Sequence, residues 1–151
     1  MSFAAPNQRA SLPRDASEVY ASMLALGAAA GASLPDDLVE LVKLRASILN
    51  GCAYCIELHR SAAADLGFDA ATIAAVAAWV ESPRFSDEQR VALAATDALT
   101  RLTGDGQGLP DPEWEGAVDA FGREGAVDLI AVIATINAWN RLAIATHTGA
   151  D

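Results

Sequence analysis

The chain has 151 residues, 52% of them hydrophobic, which is enough for one buried core and too few to argue for two domains. Its formal charge of −10 and sequence pI near 4.4 oppose association with phosphate backbones and anionic lipid surfaces, so nucleic-acid and membrane-surface partners are not expected. The first residues hold no apolar stretch of signal-peptide length, and the apolar run 126–145 is interrupted by Asp128, Asn137, Asn140 and Arg141, which predicts a cytoplasmic protein.

Helical punctuation recurs along the chain and strand alternation does not, so the fold reads as all-α, a compact bundle of about six to seven helices. Residues 1–12 read as a loose N-terminus and residues 13–151 as a single helical domain. Asp15-Ala16-Ser17-Glu18 resembles a capping box opening a helix toward Ala30, with Gly31 ending it. Ser33-Leu34-Pro35-Asp36-Asp37 supplies a cap, a proline for the first turn and two acids at the positive end of a second helix, which stops at Asn50-Gly51. A third helix starts at the cysteines and ends at Gly67. A fourth runs from about Asp69 to Val80, where Pro83 marks the break. Ser86-Asp87-Glu88-Gln89 is a second capping box, opening a helix that Gly104 closes. Asp111-Pro112 opens a sixth helix up to Gly122, and a long apolar helix fills 124–146.

The chemistry concentrates in Asn50-Gly51-Cys52-Ala53-Tyr54-Cys55-Ile56-Glu57-Leu58-His59, which holds both cysteines of the chain and one of its two histidines. On a helix Cys52, Cys55 and His59 fall at i, i+3 and i+7, on one face. Cysteines one turn apart bring their Cα atoms to about 5.5 Å, within disulfide range, so the pair can cycle between dithiol and disulfide. The free N–H groups of a helix start favour a thiolate there. Cys55 alone has a histidine at i+4 and is the expected attacking thiol. Cys52 then closes the disulfide after Cys55 has become a sulfenic acid.

The short Asn50-Gly51 turn makes the helices on either side antiparallel neighbours. Glu40 lies about 14 Å down the second helix and His59 about 11 Å along the third, at similar depth. Glu40, Lys43 and Ser47 share a face at i, i+3 and i+7, a polar stripe placed to look toward the cysteines. A half-buried carboxylate beside an imidazole and two thiols is a proton relay in outline.

Other chemistry fits the same residues. Cys52, Cys55, His59 and Glu40 are acceptable zinc ligands, although no second cysteine knuckle accompanies them, and a helical assembly protein could carry the cysteines as buried bystanders. In a reducing compartment, however, a cysteine pair points to catalysis or metal binding more than to a structural staple. Tyr54 reads as a packed aromatic, and Trp79, Trp114 and Trp139 as core or interface residues. Asn137, Asn140 and Arg141 are expected to satisfy helix ends or a subunit contact, and His147 has no assigned role. The apolar excess of the final helix predicts a homo-oligomer.

Glu40, Cys52 twelve positions on, Cys55 after two more residues and His59 after three more resemble the Glu…Cys-x-x-Cys-x-x-x-His signature of AhpD-like alkylhydroperoxidases, within the wider carboxymuconolactone decarboxylase superfamily. Arg45, Ser47, Asn50 and Tyr54 look like the rest of the family's core string, over residues 38–67, and Asn137-Ala138-Trp139-Asn140-Arg141 looks like its C-terminal helix. The resemblance implies an all-helical fold assembled into dimers, trimers or hexamers. It also implies a thiol peroxidase that reduces hydroperoxides without haem, flavin or any other cofactor and is restored by an external dithiol of lipoyl type. Carried over by position, Cys55 is similar to the peroxidatic cysteine, Cys52 to its resolving partner, and Glu40 and His59 to the relay. The decarboxylase branch fits less well, because its members typically lack this cysteine pair.

Overall fold

Every regular element among the described residues, 6–102 and 108–149 of this computed structural model, is helical. In chain order they are α1 (Leu12–Asp15), α2 (Ser17–Ala29), α3 (Asp36–Asn50), α4 (Ala53–Asp65), α5 (Ala70–Ala75), a 3-10 segment (Val76–Glu81), α6 (Asp87–Arg101) and α7 (Asp111–Thr146).

The apolar residues of α3 decide the architecture, because they point to both sides of the helix and place it at the centre. Leu38 and Val42 join Ala92, Ala95, Leu129, Val132 and Ile133 in a cluster shared with α6 and α7. Leu41 and Leu44 join Val76, Trp79, Phe85 and Leu93 in a second cluster under the 3-10 segment. Each fully buried leucine of this kind stabilises the fold by about 1.5–3 kcal/mol relative to an exposed one. With two faces of α3 so occupied, a third is left for α4, which carries the cysteines. By length and composition α7 could cross a membrane, yet here Leu129, Val132, Ile133 and Ile136 bury it in the core. Gly122, with φ 72° and ψ 171°, kinks α7 at the break expected between the last two helices. That backbone conformation is open to glycine at little steric cost.

Several ends differ from the sequence-based expectation. The Asp15-Ala16-Ser17-Glu18 capping box does not form. Asp15 instead accepts from the Ser11 N–H (2.8 Å) and pairs with Arg14, closing the short α1 that has Pro13 in its first turn, and Ala16 caps α2 without a side-chain bond. Ser33 does not cap α3 either. Its N–H and hydroxyl both donate to Asp128 of α7, at 2.9 and 2.6 Å, and Pro35 takes the cap position. The Ser86/Gln89 box forms as expected. Gly104, expected to close α6, lies outside the described residues.

The helix expected over 69–80 breaks into α5 and the 3-10 segment, with Ala78 at φ −130° and ψ 44°. Arg45 is the cause. Its Nη1 donates to the carbonyls of Val76 (3.2 Å) and Ala77 (2.9 Å), the two that an α-helix would have offered to residues 80 and 81. Arg45 is 6% exposed and its guanidinium forks onto Asp97 at 2.6 and 2.9 Å, while Trp79 Nε1 donates to the same carboxylate at 3.2 Å. A charge taken from water this far needs such a partner, and Asp97 supplies it.

The loose N-terminus expected over residues 1–12 falls partly outside the described residues, at 1–5. Further along, the Arg9 and Ala10 N–H groups donate to the Thr146 carbonyl at 2.8 and 3.4 Å, and His147 Nδ1 lies 3.0 Å from the Asn7 carbonyl oxygen. His147, to which no role was given, thus helps join the two ends of the chain.

Candidate functional site

Two residues turn the chain between α3 and α4, and Gly51 does so in the left-handed region at φ 68°, which only glycine enters without strain. The N–H groups of Gly51 and Cys52 return to the carbonyls of Ile48 and Ser47 at 3.2 and 3.1 Å, so the last turn of α3 delivers Cys52 to the N-cap of α4. There its sulfur accepts from the Cys55 N–H at 3.3 Å. A disulfide joins Cys52 and Cys55 across a Cα–Cα distance of 5.3 Å, as the one-turn spacing predicts. Both are buried, at 2% and 4% exposure, and pack against Ala143 of α7.

Glu40 and His59 meet across the hairpin at the depth counted from the sequence: Glu40 Oε2 lies 2.8 Å from His59 Nδ1. The other carboxylate oxygen accepts from Lys43 Nζ at 2.7 Å. Burial opposes a charge on Glu40, but the hydrogen bonds from His59 and Lys43, with the Lys43 ammonium's charge, outweigh it and hold the carboxyl below its ordinary range. With Nδ1 turned to the carboxylate, Nε2 is the imidazole nitrogen left to accept a proton. The polar stripe divides at its third member: Ser47 is fully buried, donates to the Lys43 carbonyl (2.7 Å) and accepts from Asn140 (3.0 Å).

A cavity of about 670 Å³ opens beside the site. Cys55 and His59 stand in its wall with Lys43, whereas Cys52 does not. The remainder is mostly apolar, supplied by Tyr20, Met23 and Leu24 of α2, Leu58 of α4, and Ile136 and Trp139 of α7. Trp139 meets Tyr20 edge to face, with ring centroids 5.7 Å apart. It therefore lines a cavity where the sequence suggested core or interface, while Trp79 is in the core as expected and Trp114 packs against the first cluster. Tyr54, 45% exposed, is at the rim, and Gly149 sits so close to its ring that a Cβ there would be 2.6 Å from Cδ2.

Behind the cysteines a buried amide network fastens the α3 end to α7. Asn50 Nδ2 donates to Asn137 Oδ1 and Asn140 Oδ1, both at 2.9 Å, and Asn137 Nδ2 donates to Thr100. Arg141 Nη1 donates to the carbonyl and side-chain oxygen of Asn137, both at 2.9 Å. The helix-end role expected for these residues is not the one they take: they bond the side chains of Ser47, Asn50 and Thr100 and the mid-helix carbonyls of Ile133 and Asn137.

Sequence spacing thus brought together Cys52 with Cys55 and Glu40 with His59. It did not single out the cavity wall, although a signal existed: Tyr20, Met23, Leu24 and Gly27 repeat at i, i+3, i+4 and i+7, as do Val132, Thr135, Ile136 and Trp139. Such stripes look the same whether they face a core or a cavity. The zinc alternative finds its two thiols joined as a disulfide, and among the described residues no group of three or more His, Cys, Asp or Glu side chains gathers as metal ligands.

A disulfide-linked Cys-x-x-Cys pair at a helix start and a carboxylate–imidazole pair across the same hairpin, in an all-α frame, are the features of an AhpD-like protein. The profile of the carboxymuconolactone decarboxylase family matches residues 17–98, and the chain belongs to that family. It is 36% identical to an uncharacterised protein, YdfG, of Bacillus subtilis (strain 168) over 106 residues, 70% of this chain and 71% of that one. A crystal structure from Agrobacterium tumefaciens, described as a protein of unknown function and candidate antioxidant defence protein AhpD, superposes with a TM-score of 0.87 at 31% identity, over 94% of this chain and 97% of the other. An uncharacterised peroxidase-related protein from Silicibacter sp. TM1040 shares the fold, with a TM-score of 0.74 at 21% identity, over 87% and 69% of the two chains.

Proposed function

We propose that the protein is a cofactor-independent thiol peroxidase of the cytoplasm that reduces organic hydroperoxides through the Cys52/Cys55 pair. The observation that supports this reading is the position of Cys55: half of a disulfide-linked pair, in the wall of an apolar cavity that it shares with His59. The helix start by itself favours an anion on Cys52, whose sulfur takes the Cys55 N–H. Access to substrate favours Cys55, and attack requires access.

In the cycle, His59 backed by Glu40 takes the Cys55 proton, and the thiolate attacks the outer peroxide oxygen. The O–O bond breaks, and the departing alkoxide takes up the proton and leaves as an alcohol. Cys52 sulfur then displaces water from the Cys55 sulfenic acid, so two thiols and one hydroperoxide become a disulfide, an alcohol and water. An external dithiol of lipoyl type restores both thiols by exchange and leaves as its own disulfide. The cavity volume of about 670 Å³ lies within the range of about 300–1,000 Å³ typical of small-molecule sites, and its apolar lining suits an alkyl or aryl body.

The test is peroxide consumption by the reduced protein with hydrogen peroxide and with bulky organic hydroperoxides, each against several dithiol donors. Turnover of the organic substrates is expected, with kcat/KM exceeding that for hydrogen peroxide by about tenfold or more, the worth of about 1.4 kcal/mol of apolar contact. No consumption with any donor, by protein whose two thiols have been titrated as free, would refute the function.

The same reading includes a homo-oligomer. Helix α2 buries none of its residues, and its Val19, Leu24 and Leu26 are each about half exposed, a surface that a second copy would cover. Light scattering at micromolar concentration should give a mass above that of one chain, and a monomer mass would remove this part.

A further inference from the structure

Lys43 touches the relay carboxylate yet has no part in the cycle above. It stands one turn beyond Glu40 on α3, and its ammonium engages Glu40 Oε1 at 2.7 Å while His59 Nδ1 takes Oε2 at 2.8 Å. The side chains of Glu40 and His59 are 15% and 12% exposed, so few waters are at hand to orient the carboxylate. Lys43 also stands in the partition between two cavities. One is the cavity of Cys55 and His59; the other, of about 530 Å³, is lined by Glu40, Asp36 and Asp65 as well as Lys43.

We propose that Lys43 is a positioning residue of the relay: by occupying one oxygen of Glu40 it directs the other to His59 Nδ1, and the imidazole so held keeps Nε2 for the Cys55 proton. This rests on the relay reading given above. The charged and titratable groups around Glu40 are Lys43 and Asp36 from α3, and His59 and Asp65 from α4; the 27–32 segment that completes the second cavity adds none. Without Lys43, Glu40 would share that cavity with two like charges and only the imidazole to oppose them. A carboxyl in that setting takes a proton more readily, and a protonated Glu40 no longer holds the imidazole by accepting from Nδ1–H.

The experiment measures alkylation of Cys55 against pH in Cys52→Ser protein, comparing the unaltered relay with Lys43→Met, Lys43→Arg and Glu40→Gln. Lys43→Met should move the acidic limb of the profile up by about one pH unit, with a rate about tenfold lower on that limb, while Lys43→Arg stays near the parent. In the Glu40→Gln background Lys43→Met should add no further shift. An equal further shift there would make Lys43 a direct charge effect on the thiol and overturn the inference. So would a Lys43→Met profile that superimposes on the parent's, whatever its melting temperature. A Glu40→Gln profile that is itself unmoved would remove the relay, whereas a moved Glu40→Gln profile beside an unmoved Lys43→Met profile would remove the Lys43 assignment alone.

Discussion

Cys55→Ser should abolish peroxide turnover and leave Cys52 as a free thiol after exposure to hydroperoxide, whereas Cys52→Ser should still react once and stop with a sulfenic acid on Cys55. The asymmetry follows from where the two sulfurs sit. Both sulfurs are buried against Ala143, but Cys55 lines the cavity, whereas Cys52 caps α4 and does not. A hydroperoxide in the cavity can therefore meet the Cys55 thiolate directly. In the proposed cycle Cys52 serves by its nearness, 5.3 Å away between Cα atoms, within reach to displace water from an oxidised neighbour. Loss of the attacking thiol removes the covalent pathway, so the expected fall is to background. Loss of the resolving thiol permits one turnover only. Mass spectrometry after one equivalent of hydroperoxide, with a sulfenic-acid trap present, distinguishes the two variants. A trapped sulfenic acid on Cys52 in Cys55→Ser protein, with none on Cys55 in the reverse variant, would exchange the roles and give the helix end the greater say.

The parts of the fold that were legible in the sequence depend on short-range chemistry. The Asn50-Gly51 stop works because one glycine takes the left-handed turn, and the Ser86/Gln89 box because both bonds close within three residues. The Glu40–His59 contact could be reached by counting rise per residue back from that turn, since two antiparallel helices joined by a tight connection have little freedom of register. Two of the failures come from distant partners, and the third, at Asp15, from a competing local helix. Arg45 diverts two carbonyls of a segment more than thirty positions away, and no local propensity in 69–80 announces it. Asp15 and Ser33 have the right chemistry for caps but are engaged elsewhere, one in α1 and the other on Asp128. The cavity was hidden for a related reason: it exists only where α2 and α7 fail to close over α4, and a stripe of apolar residues does not say what it faces.

His59→Ala and Glu40→Gln should each slow peroxide reduction by about a hundredfold or more, within the range of about 10²–10⁴ that a positioned acid–base group contributes. The loss should appear as a raised apparent pKa of the Cys55 thiol. Alkylation near neutral pH becomes slow, and much of the rate returns at alkaline pH, where the thiolate forms unaided. The pH response also identifies Glu40. Its carboxyl is held below the ordinary range, so in the folded protein it remains ionised as the pH falls through the value it would have when unfolded. A depressed carboxyl of this kind stabilises the fold in full above the unfolded value, about 4.3, and that contribution is lost only as the pH falls through the lower folded one. Glu40 should therefore stay ionised through mildly acid conditions, and the acid-dependent loss of stability due to this carboxyl should be missing in Glu40→Gln. In the proposed relay Glu40 acts through the imidazole 2.8 Å away, so the double variant should be little worse than the more damaged single one. Equal thiol reactivity in parent and variants across the pH range would mean that the helix end alone activates Cys55. Additive losses would mean that Glu40 and His59 act on it separately.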